Sequence, residues 1–228
     1  TRRSSDLYMA PPIAAIFNSS FREGYLPTVW KSADVVPLPK VKPPKKLEKD
    51  LRPISLTPVI SKVQESFVHK WIWDMIKHIL DKWQFGAIKG TCTTHALIHM
   101  LHYWLKATDN SRDKNYVQIV LLDYAKAFDH VDANILLRKL EHMDIPDALL
   151  KWLENFLTNR QQRVKIGCHY SSWLEIWGTV PQGTLLGVLM FICMINDLNT
   201  ECETVKYVDD TTIYHATNNP NDESLQKA

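Results

Sequence analysis

Apolar residues recur along this chain with helical spacing in several long segments. SKVQESFVHKWIWDMIKHIL, which begins at Ser61, places apolar residues three or four positions apart and predicts an amphipathic helix. DANILLRKLEHM and PDALLKWLENFLTN share this spacing, and Pro146 suits the first turn of the second of these helices. The continuously apolar run Leu185–Ile195 predicts a buried helix.

Other segments have the composition and alternation of β-strands. YVQIVLLDY is rich in β-branched and aliphatic residues and is typical of a strand that is buried on both faces. RVKIG and SSWLEIW predict paired strands, and VKYVDDTTIY predicts a strand, a tight turn and a second strand. Because these helices and strands do not alternate regularly, we expect an α+β fold, with a mainly antiparallel sheet covered by helices on one face.

Composition narrows the class of protein. The 228 residues suffice for one large or two small domains, and 45% apolar with 23% charged residues is ordinary for a globular protein. The longest apolar run is too short to span a bilayer, so no membrane partner is expected. The N-terminus TRRSSDLYMAPP has neither an initiator Met nor an apolar leader, which suggests a fragment of a longer chain. Four cysteines fit neither a zinc pattern nor a disulfide framework and suggest a reducing compartment.

Charge is unevenly distributed although the net charge is only +2. Residues 1–50 hold nine Lys/Arg against five Asp/Glu, whereas residues 197–228 hold two Lys against seven Asp/Glu. The basic end permits a polyanionic partner without requiring one, and the acidic end is consistent with a cation site.

Three aspartates stand out by their context. Asp123 ends the most apolar strand, and Asp209 and Asp210 lie at the tip of the predicted hairpin. Such residues are consistent with solvated turns, but acids that the fold brings together repel each other unless a cation or proton intervenes. Ligands that are all oxygen favour Mg²⁺ or Mn²⁺ over Zn²⁺. From these residues alone, a solvated turn and half of a metal site both remain open.

The order of motifs then adds a resemblance. LRPISLTPVISKVQESF, QFGAIKGTCTTHAL, VLLDYAKAFDHV, VPQGTLLGVLMFICMINDL and YVDDT, in this order, resemble the reverse transcriptase domain of non-long-terminal-repeat retrotransposons of the LINE/jockey-like kind. The resemblance extends from about Trp30 to Tyr214.

The resemblance implies the fingers and palm of a right-hand polymerase. It implies a helical N-terminal extension at residues 1–28, fingers at 29–110, a palm at 111–215 and an exposed tail at 216–228. Only 14 residues follow Tyr214, so the thumb is expected to be missing from this chain.

The resemblance also implies the metal ligands. Asp123 and Asp209 would bind two Mg²⁺ ions, for which Mn²⁺ could substitute. Asp210 would lie beside them as an accessory ligand or a primer-side group, and the backbone carbonyl of Tyr124 would complete the coordination.

Further residues are implied to contact substrates. Phe128 would crowd a ribose 2′-OH, Gln182 and Gly183 would lie near the incoming nucleotide, and Lys40 and Arg52 would contact its triphosphate. Lys89 would lie near the template. From the residues alone, Phe128 is also consistent with a core aromatic, PQG with an ordinary turn and each cation with a solvated surface residue.

The function implied is RNA-directed DNA polymerase, with an RNA template, a DNA primer and dNTPs as partners in the nucleus or cytoplasm. One alternative is a truncated or domesticated nucleic-acid-binding remnant without activity. A viral RNA-directed RNA polymerase is another, and Phe128 argues against it because a ribonucleotide polymerase must leave room for the 2′-OH.

Overall fold

The computed structural model describes residues 2–109, 116–176, 180–181, 183–219 and 221–227. Its helices are α1 (Arg2–Glu23), α2 (Leu47–Asp50), α3 (Val59–Ile76), α4 (Thr93–Thr108), α5 (Ala133–His142), α6 (Asp147–Leu157), α7 (Leu185–Met194) and α8 (Ser224–Lys227). Its strands are β1 (Ser32–Pro39), β2 (Leu51–Leu56), β3 (Tyr116–Asp123), β4 (Arg160–Ile166), β5 (His169–Tyr170), β6 (Leu174–Ile176), β7 (Glu203–Tyr207) and β8 (Asp210–Thr217). Short 3₁₀ turns lie at Thr28–Trp30 and Ala127–His130. The mixture of helices and mainly antiparallel strands confirms the α+β class.

The chain divides into two compact units, and the division differs from the one expected from the sequence. The first unit combines residues 1–77 with 128–190, and the second combines 78–127 with 191–228. Each unit is therefore built from two separate stretches of chain, whereas the expected boundary between fingers and palm was a single point near residue 110. The names fingers and palm stay predictions.

The first unit contains a mixed sheet with strands in the order β2-β1-β4-β5, and β6 also pairs with β4. Among the described strands of this sheet, β1 and β4 pair in parallel and the other pairs are antiparallel. Helix α6 packs against both α1 and α5. Aromatic rings join α1 to α6, since Phe21 of α1 lies 5.7 Å from Trp152 of α6, and Trp152 stacks on Phe156 of the same helix at 5.6 Å.

A buried pair of opposite charges lies inside the same unit. The Glu65 carboxylate of α3 accepts the N–H groups of Leu185 at 2.9 Å and Leu186 at 3.4 Å, and so caps the first turn of α7. Arg160 is 2% exposed and donates to the carbonyl of Phe156 at 2.9 Å. Burial raises the pKa of Glu65, and the nearby Arg160 guanidinium opposes this shift. Burial likewise lowers the pKa of Arg160 to about 10, against the attraction of Glu65.

The second unit contains a three-stranded antiparallel sheet in the order β3-β8-β7. Helix α4 packs on β3 and β7, and a hydrophobic core forms between the helix and the strands. Tyr214 is completely buried at its centre, with the rings of Tyr103 and Trp104 at 5.0 and 5.9 Å. Burial raises the pKa of Tyr214 to about 12. The central strand β8 is thus fixed by packing as well as by pairing.

Strand β3 is less buried than its composition predicts. Its residues alternate between exposed and half-buried, and Leu121 is 77% exposed. The expectation of burial on both faces was wrong, because Ile119, Leu121 and Asp123 lie on one face of the strand and that face is exposed among the described residues. Strand β3 is also an outer strand that pairs with β8 alone among the described strands.

The exposed tail expected at residues 216–228 stays a prediction, and part of this segment contacts the sheet of the second unit. Strand β8 continues to Thr217, and the carbonyl of Asp222 accepts a hydrogen bond from the Gln118 amide at 3.1 Å. The Asp222 carboxylate also lies 3.6 Å from His215. These contacts, which sequence periodicity does not report, therefore tie this segment to the sheet. In the described part of the chain, no helix has the length and apolarity needed to cross a membrane.

Candidate functional site

Strand register brings two of the three predicted metal-binding aspartates together. In the antiparallel pairing of β3 with β8, Asp123 lies directly opposite Asp210. Side chains at such opposed positions have Cβ atoms roughly 4.5–5.5 Å apart. Asp209 immediately precedes Asp210, and its side chain is half-buried, whereas those of Asp123 and Asp210 are exposed.

Asp209 belongs to the tight turn that joins β7 to β8. Tyr207 pairs with Asp210, so Val208 and Asp209 form a two-residue hairpin loop. Val208 has a φ of 59°, and positive φ at the first loop residue is a feature of two-residue hairpin turns. A β-branched residue is an outlier in this region of φ. The position of Asp209 therefore depends on a turn of unusual backbone conformation.

The segment Trp83–Gly86 runs beside β7 and contacts this turn. The N–H of Phe85 donates to the carbonyl of Lys206 at 2.8 Å, and the N–H of Lys206 donates to the carbonyl of Trp83 at 2.9 Å. The side-chain oxygen of Gln84 accepts hydrogen bonds from the backbone N–H groups of Val208 and Gly86, both at 2.9 Å. The sequence predicts only a loop here, and the structure gives that loop a specific contact with the hairpin.

Glycine at position 86 is required by close packing. A Cβ atom on Gly86 would lie 2.4 Å from the backbone nitrogen of Val208 and 2.6 Å from the carbonyl carbon of Tyr207. Any other residue would displace one of the two backbones.

Lys206, in strand β7 of the same hairpin, is a buried cation. Its ammonium group lies 2.8 Å from the Asp81 carboxylate and donates to the carbonyls of Ile195 and Asn196 at 3.2 and 3.4 Å. Because the lysine side chain is 1% exposed and Asp81 is 22% exposed, the charge is paired away from water. Lys206 therefore fixes β7 to two neighbouring segments.

Tyr124 directly follows β3 and is half-buried. Its ring contacts that of Phe191 edge-on, and the ring centroids are 6.4 Å apart. This spacing lies within the range of about 4.5–7 Å that is typical of aromatic pairs. This contact anchors the residue whose carbonyl is the predicted additional ligand.

The donor set fits a magnesium-type ion only in part. Within the described residues, no group of three or more His, Cys, Asp or Glu side chains converges closely enough to hold a metal ion. Mg²⁺ in proteins, however, is usually bound by one or two carboxylates together with water and substrate phosphates. The opposed pair Asp123 and Asp210, with Asp209 adjacent, meets that requirement with oxygen ligands alone.

The predicted nucleotide-binding residues lie in the first unit. Lys40 and Arg52 have exposed side chains near the turn between β1 and β2, where Arg52 is opposite Leu38. Phe128 is half-buried in the second 3₁₀ turn, and its carbonyl accepts the N–H of Val180 at 3.3 Å. A cavity of about 180 Å³ lies beside this contact. It is lined in part by Ser55, Asp129, Arg160, Val180 and Pro181.

Gly183 has a structural reason for being glycine. Its φ is 105°, and a Cβ atom there would lie 3.0 Å from the carbonyl oxygen of Ser55. The close approach observed is therefore to strand β2, and an approach to a nucleotide stays a prediction. Gln182 lies outside the described residues, so its predicted role stays a prediction too. Thr184 accepts the N–H of Gly187 at 3.1 Å and so caps α7.

Lys89 is exposed in the loop before α4, which is compatible with its predicted template contact. The supporting residues Gln84, Lys206 and Glu65 were missed by sequence reasoning. The available signal for such residues was a polar residue within an otherwise strand-like or helical run. That signal does not identify the partners, which for Gln84 and Glu65 lie 124 and 120 positions away in the sequence.

Comparison with known proteins identifies the relatives of this chain. Residues 41–228 match the family described as "Reverse transcriptase (RNA-dependent DNA polymerase)". The chain is 30% identical over 188 residues to the probable RNA-directed DNA polymerase from transposon BS of Drosophila melanogaster, covering 82% of this chain and 20% of that protein. It is 31% identical over 215 residues to the RNA-directed DNA polymerase from mobile element jockey of the same organism, covering 88% of this chain and 23% of the relative. The chain thus spans about a fifth of the length of these relatives.

Solved structures share the fold at much lower sequence identity. Telomerase from Candida tropicalis, solved in complex with a TWJ fragment of telomeric RNA, matches with a TM-score of 0.63 and 10% identity. The match covers 96% of this chain and 41% of that one. The apo enzyme truncated from its C-terminal domain matches with a TM-score of 0.57 and 11% identity, covering 95% of this chain and 52% of that one. These neighbours confirm a polymerase fold, and reverse transcriptases generally use divalent metal ions. The chain belongs to the reverse transcriptase family, with relatives among the polymerases of non-long-terminal-repeat retrotransposons.

Proposed function

We propose that this chain is the polymerase core of a retrotransposon reverse transcriptase, which extends a DNA primer on an RNA template. The observation that carries the proposal is the register that sets Asp123 opposite Asp210, with Asp209 in the adjoining turn, in a member of this family. Carboxylates in this arrangement repel each other unless a cation lies between them. Within the described residues, no hydrogen bond or ion pair occupies the three side chains.

The acidic residues would hold the metal ions and orient the reacting groups. Asp123 and Asp209 would each contribute a carboxylate oxygen to two Mg²⁺ ions, with Mn²⁺ as a substitute. Asp210 would serve as an accessory ligand or face the primer, and the Tyr124 carbonyl would add a neutral oxygen. When bound, the ions lower the pKa of the primer 3′-hydroxyl and neutralise charge on the triphosphate of the incoming dNTP.

A second set of residues would select and hold the nucleotide. The ring of Phe128 would exclude a 2′-hydroxyl, and Gln182 and Gly183 would flank the nucleotide. Lys40 and Arg52 would bind the triphosphate through charge-assisted hydrogen bonds. Lys89, in the second unit, would contact template phosphates. The same proposal assigns residues 29–110 to the fingers and residues 111–215 to the palm. It also places the protein in the nucleus or the cytoplasm.

Primer extension with a charge-neutralising variant tests the proposal. The chain is supplied with an RNA template, a DNA primer, dNTPs and Mg²⁺, and Asp209→Asn is compared with the parent. We expect extension by the parent and at least a roughly hundredfold lower rate for Asp209→Asn, because a group that stabilises charge in the transition state is lost. Asp144→Asn is the matched control, since Asp144 is exposed in a turn at a φ of 59° that asparagine tolerates.

Two results would contradict the proposal. One is the absence of RNA-templated extension by the parent, and the other is a rate unaffected by Asp209→Asn. Binding of the template without extension would instead favour the non-catalytic nucleic-acid-binding remnant.

A further inference from the structure

We propose that Gln84 is a positioning residue, which fixes the Val208–Asp209 turn through its side-chain oxygen and thereby orients the Asp209 carboxylate towards its metal ions. The inference rests on the proposed function for the role of Asp209. Its structural basis lies wholly within the second unit, in the contact between Trp83–Gly86 and the β7–β8 hairpin.

The side-chain oxygen of Gln84 accepts two backbone hydrogen bonds. Its Oε1 atom accepts the N–H groups of Val208 and Gly86, each at 2.9 Å. Both partners are donors, so the side-chain atom between them must be the oxygen and the orientation of the amide group is determined. One acceptor thus joins the turn to the segment beside it.

The Val208–Asp209 turn needs a constraint from outside the hairpin. Val208 has a φ of 59°, and a residue held in this sparsely populated region persists only where its surroundings hold it there. The Val208 N–H, which Gln84 accepts, belongs to this strained residue. Loss of the acceptor would release the peptide that leads directly into Asp209.

The backbone of Trp83–Gly86 packs tightly against the backbone of the β7–β8 hairpin. The backbone hydrogen bonds between Trp83, Phe85 and Lys206 align the segment with β7, two residues before the turn. The missing side chain of Gly86 then allows its backbone to lie against Val208. Gln84 is thereby held at one height along the hairpin, where its oxygen reaches the Val208 N–H of the turn as well as the Gly86 N–H.

Gln84 is unfavourable for folding stability, so packing alone does not explain a glutamine at this position. The side chain is 4% exposed, and its Nε2 atom has no hydrogen-bond partner within the described residues. A buried amide that leaves its donor unsatisfied is destabilising. An apolar residue would fill the space more favourably for folding, whereas only an acceptor can hold the Val208 N–H.

A pair of substitutions separates the acceptor from the bulk of the side chain. Gln84→Met has similar length without a strong acceptor, whereas Gln84→Glu retains an acceptor oxygen. Gln64→Met is the control, because Gln64 is equally buried and neither polar atom of its side chain has a partner within the described residues.

Two measurements need no catalysis. Hydrogen exchange followed by mass spectrometry reports protection of the peptide that contains residues 203–212, and electron paramagnetic resonance reports binding of Mn²⁺. We expect Gln84→Met to lose protection in this peptide and to weaken Mn²⁺ binding by about 10- to 100-fold, the range found for residues that orient a metal ligand. Gln84→Glu should restore most of both, and Gln64→Met should change neither.

Primer extension provides the third measurement. Gln84→Met should raise the Mg²⁺ concentration for half-maximal extension and leave the KM for primer–template unchanged, because only the metal ligand is displaced. Unchanged exchange, or changed exchange with unchanged Mn²⁺ affinity, would overturn the positioning role. If the parent chain binds Mn²⁺ but extends no primer, the proposed function fails while exchange and Mn²⁺ binding still decide the role of Gln84. If the parent binds no Mn²⁺, both proposals are overturned.

Discussion

At the scale of single residues, the two acids of the hairpin differ in their surroundings. Asp210 begins β8 and is paired across the sheet with Asp123, whereas Asp209 occupies the turn and is less exposed. The conformation of Asp209 depends on the preceding residue Val208, whose φ lies in the left-handed region. Local backbone strain of this kind persists when the surroundings supply enough constraint. The two acids therefore differ in their surroundings, and the unequal roles that the sequence resemblance implies stay a prediction.

The size of the side chain at position 128 makes a testable prediction about substrate choice. Phe128→Ala should raise incorporation of ribonucleotides relative to deoxynucleotides by about 10- to 100-fold, since a steric contact with the 2′-hydroxyl is removed and such contacts contribute roughly 1–3 kcal/mol to discrimination. Competition between rNTP and dNTP in primer extension measures this ratio.

Phe128→Tyr retains the aromatic ring and is the matched control. It should discriminate against ribonucleotides as the parent does. Equal discrimination by Phe128→Ala and the parent would mean that the half-buried ring serves packing alone.

At the scale of elements, Glu65 joins α3 to the start of α7. Glu65→Leu should lower the free energy of unfolding by about 2–4 kcal/mol, because it removes the acceptor for two helix N–H groups and leaves the buried Arg160 without its counter-charge. Urea unfolding followed by circular dichroism measures the change. No loss of stability in Glu65→Leu would show that the carboxylate is dispensable to the fold.

The neutral isostere Glu65→Gln separates charge from hydrogen bonding. It keeps an oxygen that can accept from α7, so we expect a smaller loss than in Glu65→Leu. Because burial raises the pKa of Glu65 in the folded state, the stability that this group contributes is full below the ordinary pKa of glutamate, 4.5, and is lost as pH rises through the folded pKa. The stability of the parent relative to Glu65→Gln should therefore decline over that pH range.

The elements differ in how far the sequence predicts them. The spacing of apolar residues is sufficient for α5 and α6, which follow the predicted segments closely. For β3 the composition is misleading, since an apolar strand does not reveal whether it will be central or outer in its sheet. The segment Trp83–Gly86 has no periodicity at all, and its pairing with β7 arises only in the folded chain.

At the scale of the whole molecule, net charge is small and any contact with nucleic acid must come from local cations. Lys89→Ala should weaken binding of an RNA–DNA primer–template and reduce the slope of log affinity against log salt by about one, as expected for one lost phosphate contact. Fluorescence anisotropy at several salt concentrations measures both quantities.

Lys106→Ala removes the same charge from an exposed position in α4 of the same unit. We expect this control to keep the salt dependence of the parent. An unchanged slope in Lys89→Ala would remove Lys89 from the nucleic-acid-binding residues.

Family membership was predictable from the order of five motifs, but much of the candidate site was not. Eighty-six residues separate Asp123 from Asp209, and no periodicity reports that β3 and β8 pair or in which register. The partners of Gln84 and Glu65 are 124 and 120 residues away in the chain. Long-range pairing of this kind depends on the complete fold rather than on any local segment.

The register of β3 and β8 has a consequence for how the gene tolerates change. Because side chains alternate between the two faces of a sheet, the loss of a single codon within either strand shifts the pairing by one position and moves every later side chain to the opposite face. Asp123 and Asp210 would then no longer meet, although both codons were intact. A chain that keeps all three acids but differs in strand length would therefore lose this opposed pair, so intact motifs alone do not specify the arrangement of the acids.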